Sequence, residues 1–109
     1  MKDHSLGMDD KEFASLAQAA LIRIQSGLEN AGLDFETPGD GILKIDFDDG
    51  SKMVINRHGA AQEVWVAARS GGFHFRPTDG SWKDSRDGED LYVKLAKLIA
   101  LQGGAAPLF

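Results

Sequence analysis

The chain reads as an α+β protein, a two-layer sandwich with N- and C-terminal helices packed on one face of a five- to six-stranded antiparallel sheet. Three observations lead there. Apolar residues recur with a period of 3.6 near both ends and a period of two between them. The links between the alternating segments are of hairpin length, which fits a meander and excludes βαβ crossovers. Each helix and the sheet has one apolar face, so both helices belong on the same side of the sheet, and the other side faces water.

Residues 10–30 form the first amphipathic helix. Phe13, Leu16, Ala17, Ala20, Leu21, Ile24 and Leu28 project into one arc of about 140° at 100° per residue. Asp9 is read as its N-cap, with Glu12 completing a capping box, and Gly32 as a left-handed stop. Ile22 falls outside the arc, and Gly27 is a mild cost inside the helix.

Strands are predicted at 33–37, 42–47, 52–57, 63–69, 73–76 and 81–83. Asp48-Asp49-Gly50-Ser51, Ser70-Gly71-Gly72 and Thr78-Asp79-Gly80 supply turns between them. The second helix is predicted from about 88 to 102. Asp87 is read as its cap and Leu91, Tyr92, Leu95, Leu98 and Ile99 as its apolar stripe. Lys94 and Lys97 stand opposite the stripe, and Gly103-Gly104 is the stop.

At 109 residues, 42% hydrophobic and 27% charged, the composition fits one globular domain. It is placed at 9–104, between an N-terminal tail (1–8) and a C-terminal tail (105–109). No apolar run approaches the ~20 residues that span a bilayer, so no membrane role is expected. Residues 1–8 carry no apolar signal segment, and the default location is cytoplasmic. Without cysteine, disulfides, thiolate metal sites and a cysteine nucleophile are excluded.

The charge is uneven. Residues 1–50 hold 11 acids and 4 bases, and residues 51–109 hold 6 acids and 8 bases. Between Glu29 and Asp49 seven acids face Lys44 alone. Such a field repels phosphate backbones, so nucleic acid is not an expected partner; cations and basic protein loops are. Asp34 and Glu36, two apart on one strand, share a face about 7 Å apart. Glu29 in the last turn of the helix could lean toward them. An open, all-oxygen set suits hard cations, held weakly and still largely hydrated.

No catalytic constellation is found. His4, His58 and His74 fall on the tail, a loop and a strand, and none has a metal-ligand spacing. On the strand at 63–69, Val64, Val66 and Ala68 turn inward and Trp65 turns to solvent. Asn56, Arg57 and Arg69 are placed beside it, and nothing in the chain is expected to bury it. An exposed Trp among charged residues marks a contact surface. Trp82 is expected to pack partly against the fold.

Several segments together resemble the frataxin family in its bacterial form. They are Gly50-Ser51-Lys52-Met53-Val54-Ile55-Asn56-Arg57, Val64-Trp65-Val66-Ala67, Gly71-Gly72-Phe73-His74-Phe75 and the stretch from Asp79 to Glu89 around Trp82. The resemblance covers residues 9–104. It implies weak binding of ferrous and ferric iron (Fe2+/Fe3+) at Asp10, Glu29, Asp34 and Glu36, with a one-residue insertion near Pro38. It also implies contact with the cysteine desulfurase and the iron–sulfur scaffold protein through the sheet surface that carries Asn56 and Trp65; Arg57, placed beside them, and Glu36, in the acidic stretch, complete the expected partner-binding residues.

The implied function is that of a non-enzymatic, iron-binding regulator of iron–sulfur cluster assembly, monomeric without iron. A pure protein-interaction module and an iron-loaded, oligomeric ferroxidase are the alternatives. The sequence departs from the family at Gln25, Ser26 and Asn30, where bacterial relatives carry acids. It departs again at His58, Ala60 and Glu63, where the family favours Gln, Pro and Gln.

Overall fold

A computed structural model describes residues 8–103 and 105–109. Nearly all of the N-terminal tail, with His4, and the second glycine of the stop at 103–104 lie outside the described residues. Helix α1 spans Asp10–Asn30. The strands are β1 (Asp34–Gly39), β2 (Ile42–Asp46), β3 (Lys52–His58), β4 (Glu63–Ala68), β5 (Gly71–Thr78) and β6 (Ser81–Asp84), and helix α2 spans Leu91–Gln102. The strands form one antiparallel sheet in sequence order, β1 to β6. Both helices cover one face of it, as the periodicities predict.

The capping box at α1 is present. Asp9 accepts from the Glu12 N–H at 2.8 Å, and Glu12 reaches back to the Asp9 N–H at 3.4 Å. Gly32 takes the left-handed conformation, φ +73°. Leu16, predicted to face the core, is instead 44% exposed. It sits at the rim of the apolar arc and lines an open cleft with Gly80, Ser81 and Trp82. Gly27 is not a simple cost, because the helix is approached closely there. A Cβ at Gly27 would lie 2.4 Å from Cδ1 of Phe109.

The core joins Phe13, Ile24 and Leu28 of α1 to Leu43, Ile45, Met53, Ile55, Val64, Val66 and Phe75 of the sheet. Leu91, Leu95 and Ile99 of α2 complete it. Trp82 packs edge-on against Phe13, with ring centroids 6.0 Å apart.

Helix α2 begins three residues later than predicted. Asp90, not Asp87, is its N-cap, accepting from the N–H groups of Tyr92 and Val93. Asp87 is engaged elsewhere, bound 2.7 Å from the Lys94 ammonium. Lys94 is not a solvated residue either. Its side chain is 12% exposed and also reaches Asp84, 3% exposed, at 3.0 Å, and Glu89 at 3.5 Å. Burial alone would raise the Asp84 pKa, but the Arg86 N–H and the Lys94 ammonium outweigh it and hold the carboxyl below its ordinary value. Lys94 is pushed up, because the carboxylates of Asp87 and Asp84 overcome the burial that would lower it.

Residues 105–109 fold back over the helices. Pro107 is buried. The main-chain oxygen of Phe109 accepts from Arg23 Nε at 2.9 Å, and its ring lies 6.2 Å from that of Tyr92. The Arg23 guanidinium covers the Tyr92 ring at 3.8 Å.

Candidate functional site: the open face of the sheet

Alternation sends Leu43, Ile45, Met53, Ile55, Val64 and Val66 toward the helices. Residues paired across antiparallel strands share a face. The register therefore places Ile42, Asn56, Trp65 and His74 in one row on the open face. Glu36, Lys44, Val54, Ala67 and Gly72 form a second row, and Asp34, Asp46 and Lys52 a third.

Trp65 stands on this face as the alternation predicts, but it is not bare. Its indole is stacked between two imidazoles. His58 lies at 3.9 Å with the planes 9° apart, and His74 at 4.6 Å with the planes 13° apart. The indole Nε1–H donates to Glu63 Oε1 at 2.8 Å. Glu63 is a charged residue whose side chain is only 6% exposed, and it accepts a 2.6 Å bond from Arg76 Nε. Burial would raise its pKa; the bonds from Arg76 and Trp65 prevail and lower it. His74 Nδ1 lies 3.8 Å from Glu63 Oε1. The expectation that nothing in this chain buries Trp65 is therefore corrected.

Two of the neighbours expected beside Trp65 are elsewhere. Arg57 follows Ile55 onto the helix side and binds Asp40 at 3.0 Å, closing the β1–β2 turn. Arg69 pairs with Asp49 across the sheet end. Asn56 does sit beside Trp65, directly opposite it in register. His58 is not in a loop but ends β3, where the Ala61 N–H donates to its Nδ1 at 3.2 Å. The signal that would have found the stack is the turn between β4 and β5. It falls at Arg69-Ser70, and only that register brings His74 opposite Trp65.

The carboxylates of β1 and β2 lie at the opposite end of the same face, and Asp10 and Glu29 lie on α1, which packs on the other face. Asp34 is directly across from Asp46, a neighbour the sequence reading did not single out. Glu36 is 3.3 Å from Lys44, and Asp46 is 2.7 Å from Lys52. The hydrogen bond from Lys52 is the main reason the Asp46 pKa lies below its ordinary value. Glu29 is exposed in the last turn of α1, and Asp10 begins the helix. At about 1.5 Å per residue, these two stand roughly 28 Å apart. Asp10 instead neighbours Gln62, whose Nε2 donates to Met8 O at 2.8 Å and lies 3.5 Å from Asp10 Oδ1. Among the described residues no three His, Asp or Glu side chains gather to hold a metal. The donors are hard carboxylates and fit a hard cation, but two of them already face an ammonium group.

Residues 6–105 match the family model described as a frataxin-like domain. The chain belongs to the frataxin family. Among the relatives of this frataxin, the iron-sulfur cluster assembly protein CyaY of Dechloromonas aromatica is 52% identical over 91% of this chain and 96% of its own. The protein of the same name from Ralstonia nicotianae is 47% identical over 87% and 88%. Among solved structures, the frataxin from Psychromonas ingrahamii superposes with a TM-score of 0.80 at 27% identity, covering 90% of this chain and 97% of that one. The helix–meander–helix order and the two helices on one face are thus the frataxin fold. No described helix is long and apolar enough to cross a membrane.

Proposed function

We propose that this frataxin is a non-enzymatic adaptor of iron–sulfur cluster assembly in the cytoplasm, monomeric without iron. In this reading it docks on the cysteine desulfurase and its scaffold protein through the open face of the sheet. Fe2+/Fe3+ is cargo, held weakly at carboxylates of α1 and β1. The observation that carries the reading is Trp65, a large ring held in a fixed pose on the uncovered face, whose far end carries the acidic strands β1 and β2. Aromatic anchors of this kind dominate contact energies, and a charged border steers the encounter.

Asp10, Glu29, Asp34 and Glu36 are proposed as the iron-holding residues. Their spread along α1 and β1 means that one ion does not engage all four, so iron would sit in more than one loosely held, hydrated place. A second reading, an interaction module with incidental metal binding, is favoured by Lys44 and Lys52, which already neutralise Glu36 and Asp46.

The test is a binding assay with the cognate desulfurase, with and without iron, across a salt series. Trp65→Ala should weaken binding, at a contact centre by at least ~2 kcal/mol. Glu36→Lys should weaken it more than a conservative change does, and the affinity should fall with salt. Exposed opposite charges are screened over ~8 Å at physiological ionic strength. Affinity that is indifferent to both variants and to salt would sink the docking mode. Binding that is unchanged by iron would favour the second reading.

A further inference from the structure

We propose that His58, Trp65 and His74 form a proton-operated clamp, with His58 as its moving jaw. The two imidazoles are placed differently with respect to a proton. Nδ1 of His58 accepts the Ala61 N–H at 3.2 Å. An accepting ring nitrogen carries no proton, so this geometry belongs to the neutral ring with its proton on Nε2. Protonation sets one donor against another, and the bond that holds His58 over the indole is lost. His74 meets the reverse condition. Its Nδ1 faces Glu63 Oε1 at 3.8 Å, so a proton there turns toward an acceptor and not toward another donor. In acid, His74 stays and His58 leaves.

The charged groups around the stack come from three strands, the segment after β6 and helix α1. Glu63 of β4 lies directly across from His58 and also near His74. Arg76 of β5 is held to Glu63, and Lys83 of β6 is paired across from Arg76. Beyond β6, Arg86 reaches Gly72 O at 3.4 Å, at the His74 side. From α1, Asp10 reaches the β3–β4 turn through Gln62. The hydrogen bond that protonation breaks is on the His58 side, whereas His74 Nδ1 faces a carboxylate oxygen, and the cations near His74 are held by Glu63 and a main-chain oxygen. That asymmetry selects which ring moves.

The consequence for function rests on the reading of Trp65 as a contact residue. At neutral pH a partner meets the indole as an edge between two imidazoles. In acid it meets one open indole face with a positive charge beside it.

The clamp itself is tested in the isolated full chain labelled with 5-fluorotryptophan. Fluorine NMR separates Trp65 from Trp82, and nitrogen NMR follows the His58 ring. From about pH 8 to about pH 5, where imidazole charge changes, the Trp65 resonance should shift and its access to a soluble quencher should rise. Both should follow His58 protonation, with Trp82 unchanged. His58→Gln should abolish the transition and His74→Gln should retain it. A Trp65 environment that stays constant while His58 gains its proton overturns the proposal, as does a transition that persists in His58→Gln. Desulfurase affinity indifferent to Trp65→Ala, with the transition intact, would instead overturn the contact reading alone.

Discussion

Trp65 and Glu63 stand two residues apart on one face of β4, joined by a 2.8 Å bond from the indole N–H to a carboxylate that is almost wholly buried. The residue proposed for partner contact is thus also part of the fold. Trp65→Phe should keep a ring between the imidazoles and lose the bond to a charged acceptor, at about 1.5 kcal/mol. Trp65→Ala should cost more, because ring pairs contribute about 0.5–1.5 kcal/mol each beyond their burial. Urea denaturation checks both. If Trp65→Ala stays within about 0.5 kcal/mol of the parent, as for ordinary surface changes, the stack adds nothing to stability.

Lys94 is tied to the carboxylates of Asp84, Asp87 and Glu89 at the β6–α2 junction. Lys94→Met leaves Asp84 charged and nearly buried, and breaking such a pair costs about 3–5 kcal/mol. Adding Asp84→Asn should recover part of that loss.

The same junction sets a pH dependence. Asp84 and Glu63 are held below their ordinary values. Their contribution is present above the unfolded carboxylate range near pH 4 and is lost as pH falls through their lower folded values. Lys94 is held above its ordinary value. Its contribution is complete below about pH 10 and is lost as pH rises through the higher folded value. Stability measured against pH should therefore fall at both ends. Lys94→Met should flatten the alkaline limb and make the acid limb shallower; an unchanged acid limb would remove Lys94 as the cause of the Asp84 shift.

Gly27→Ala in a helix interior ordinarily stabilises by about 1 kcal/mol. Here the added Cβ meets the Phe109 ring at 2.4 Å and Leu108 O at 3.0 Å. The substitution should give no gain in the full chain, and it should recover the ordinary gain in a Phe109→Ala background. Equal effects in both backgrounds, read from thermal melts, would mean that residues 105–109 do not hold this position.

Lys44 and Lys52 compete with any cation for Glu36 and Asp46. Lys44→Ala with Lys52→Ala should tighten ferrous iron binding in an anaerobic titration. A weaker or unchanged affinity would place the iron away from β1 and β2.

Much of the fold is legible in the sequence because it is written in local terms. Asp9, Glu12 and Gly32 mark the ends of α1 by capping chemistry alone, and short links force the strand order. The start of α2 is less legible. Asp87, Glu89 and Asp90 crowd four positions, and the choice among them is made by Lys94, a residue one helical turn away whose burial depends on Phe73 and Asp84.

The candidate site is legible only in part. Alternation alone puts Trp65 on the open face. The rings that cover it depend on register, and a turn read at Ser70-Gly71-Gly72 instead of Arg69-Ser70 moves His74 away from Trp65. Arg57 stands away from Trp65 because of its face, not its register. Its distance along the chain from Trp65 is short, but a one-residue step in a strand changes the face.

Every strand of this sheet lies beside the strand made just before it. During synthesis, each new hairpin can add to the one already formed, with a short loop to close and no wait for a distant partner. Helix α1 is made before the sheet, but Leu91, Leu95, Leu98 and Ile99 are made after it. Until α2 leaves the ribosome, the growing sheet carries an uncovered apolar face, the kind of surface through which nascent chains associate. The interval of greatest risk for this domain therefore lies between the completion of β6 and the emergence of α2, and it closes when one short helix arrives.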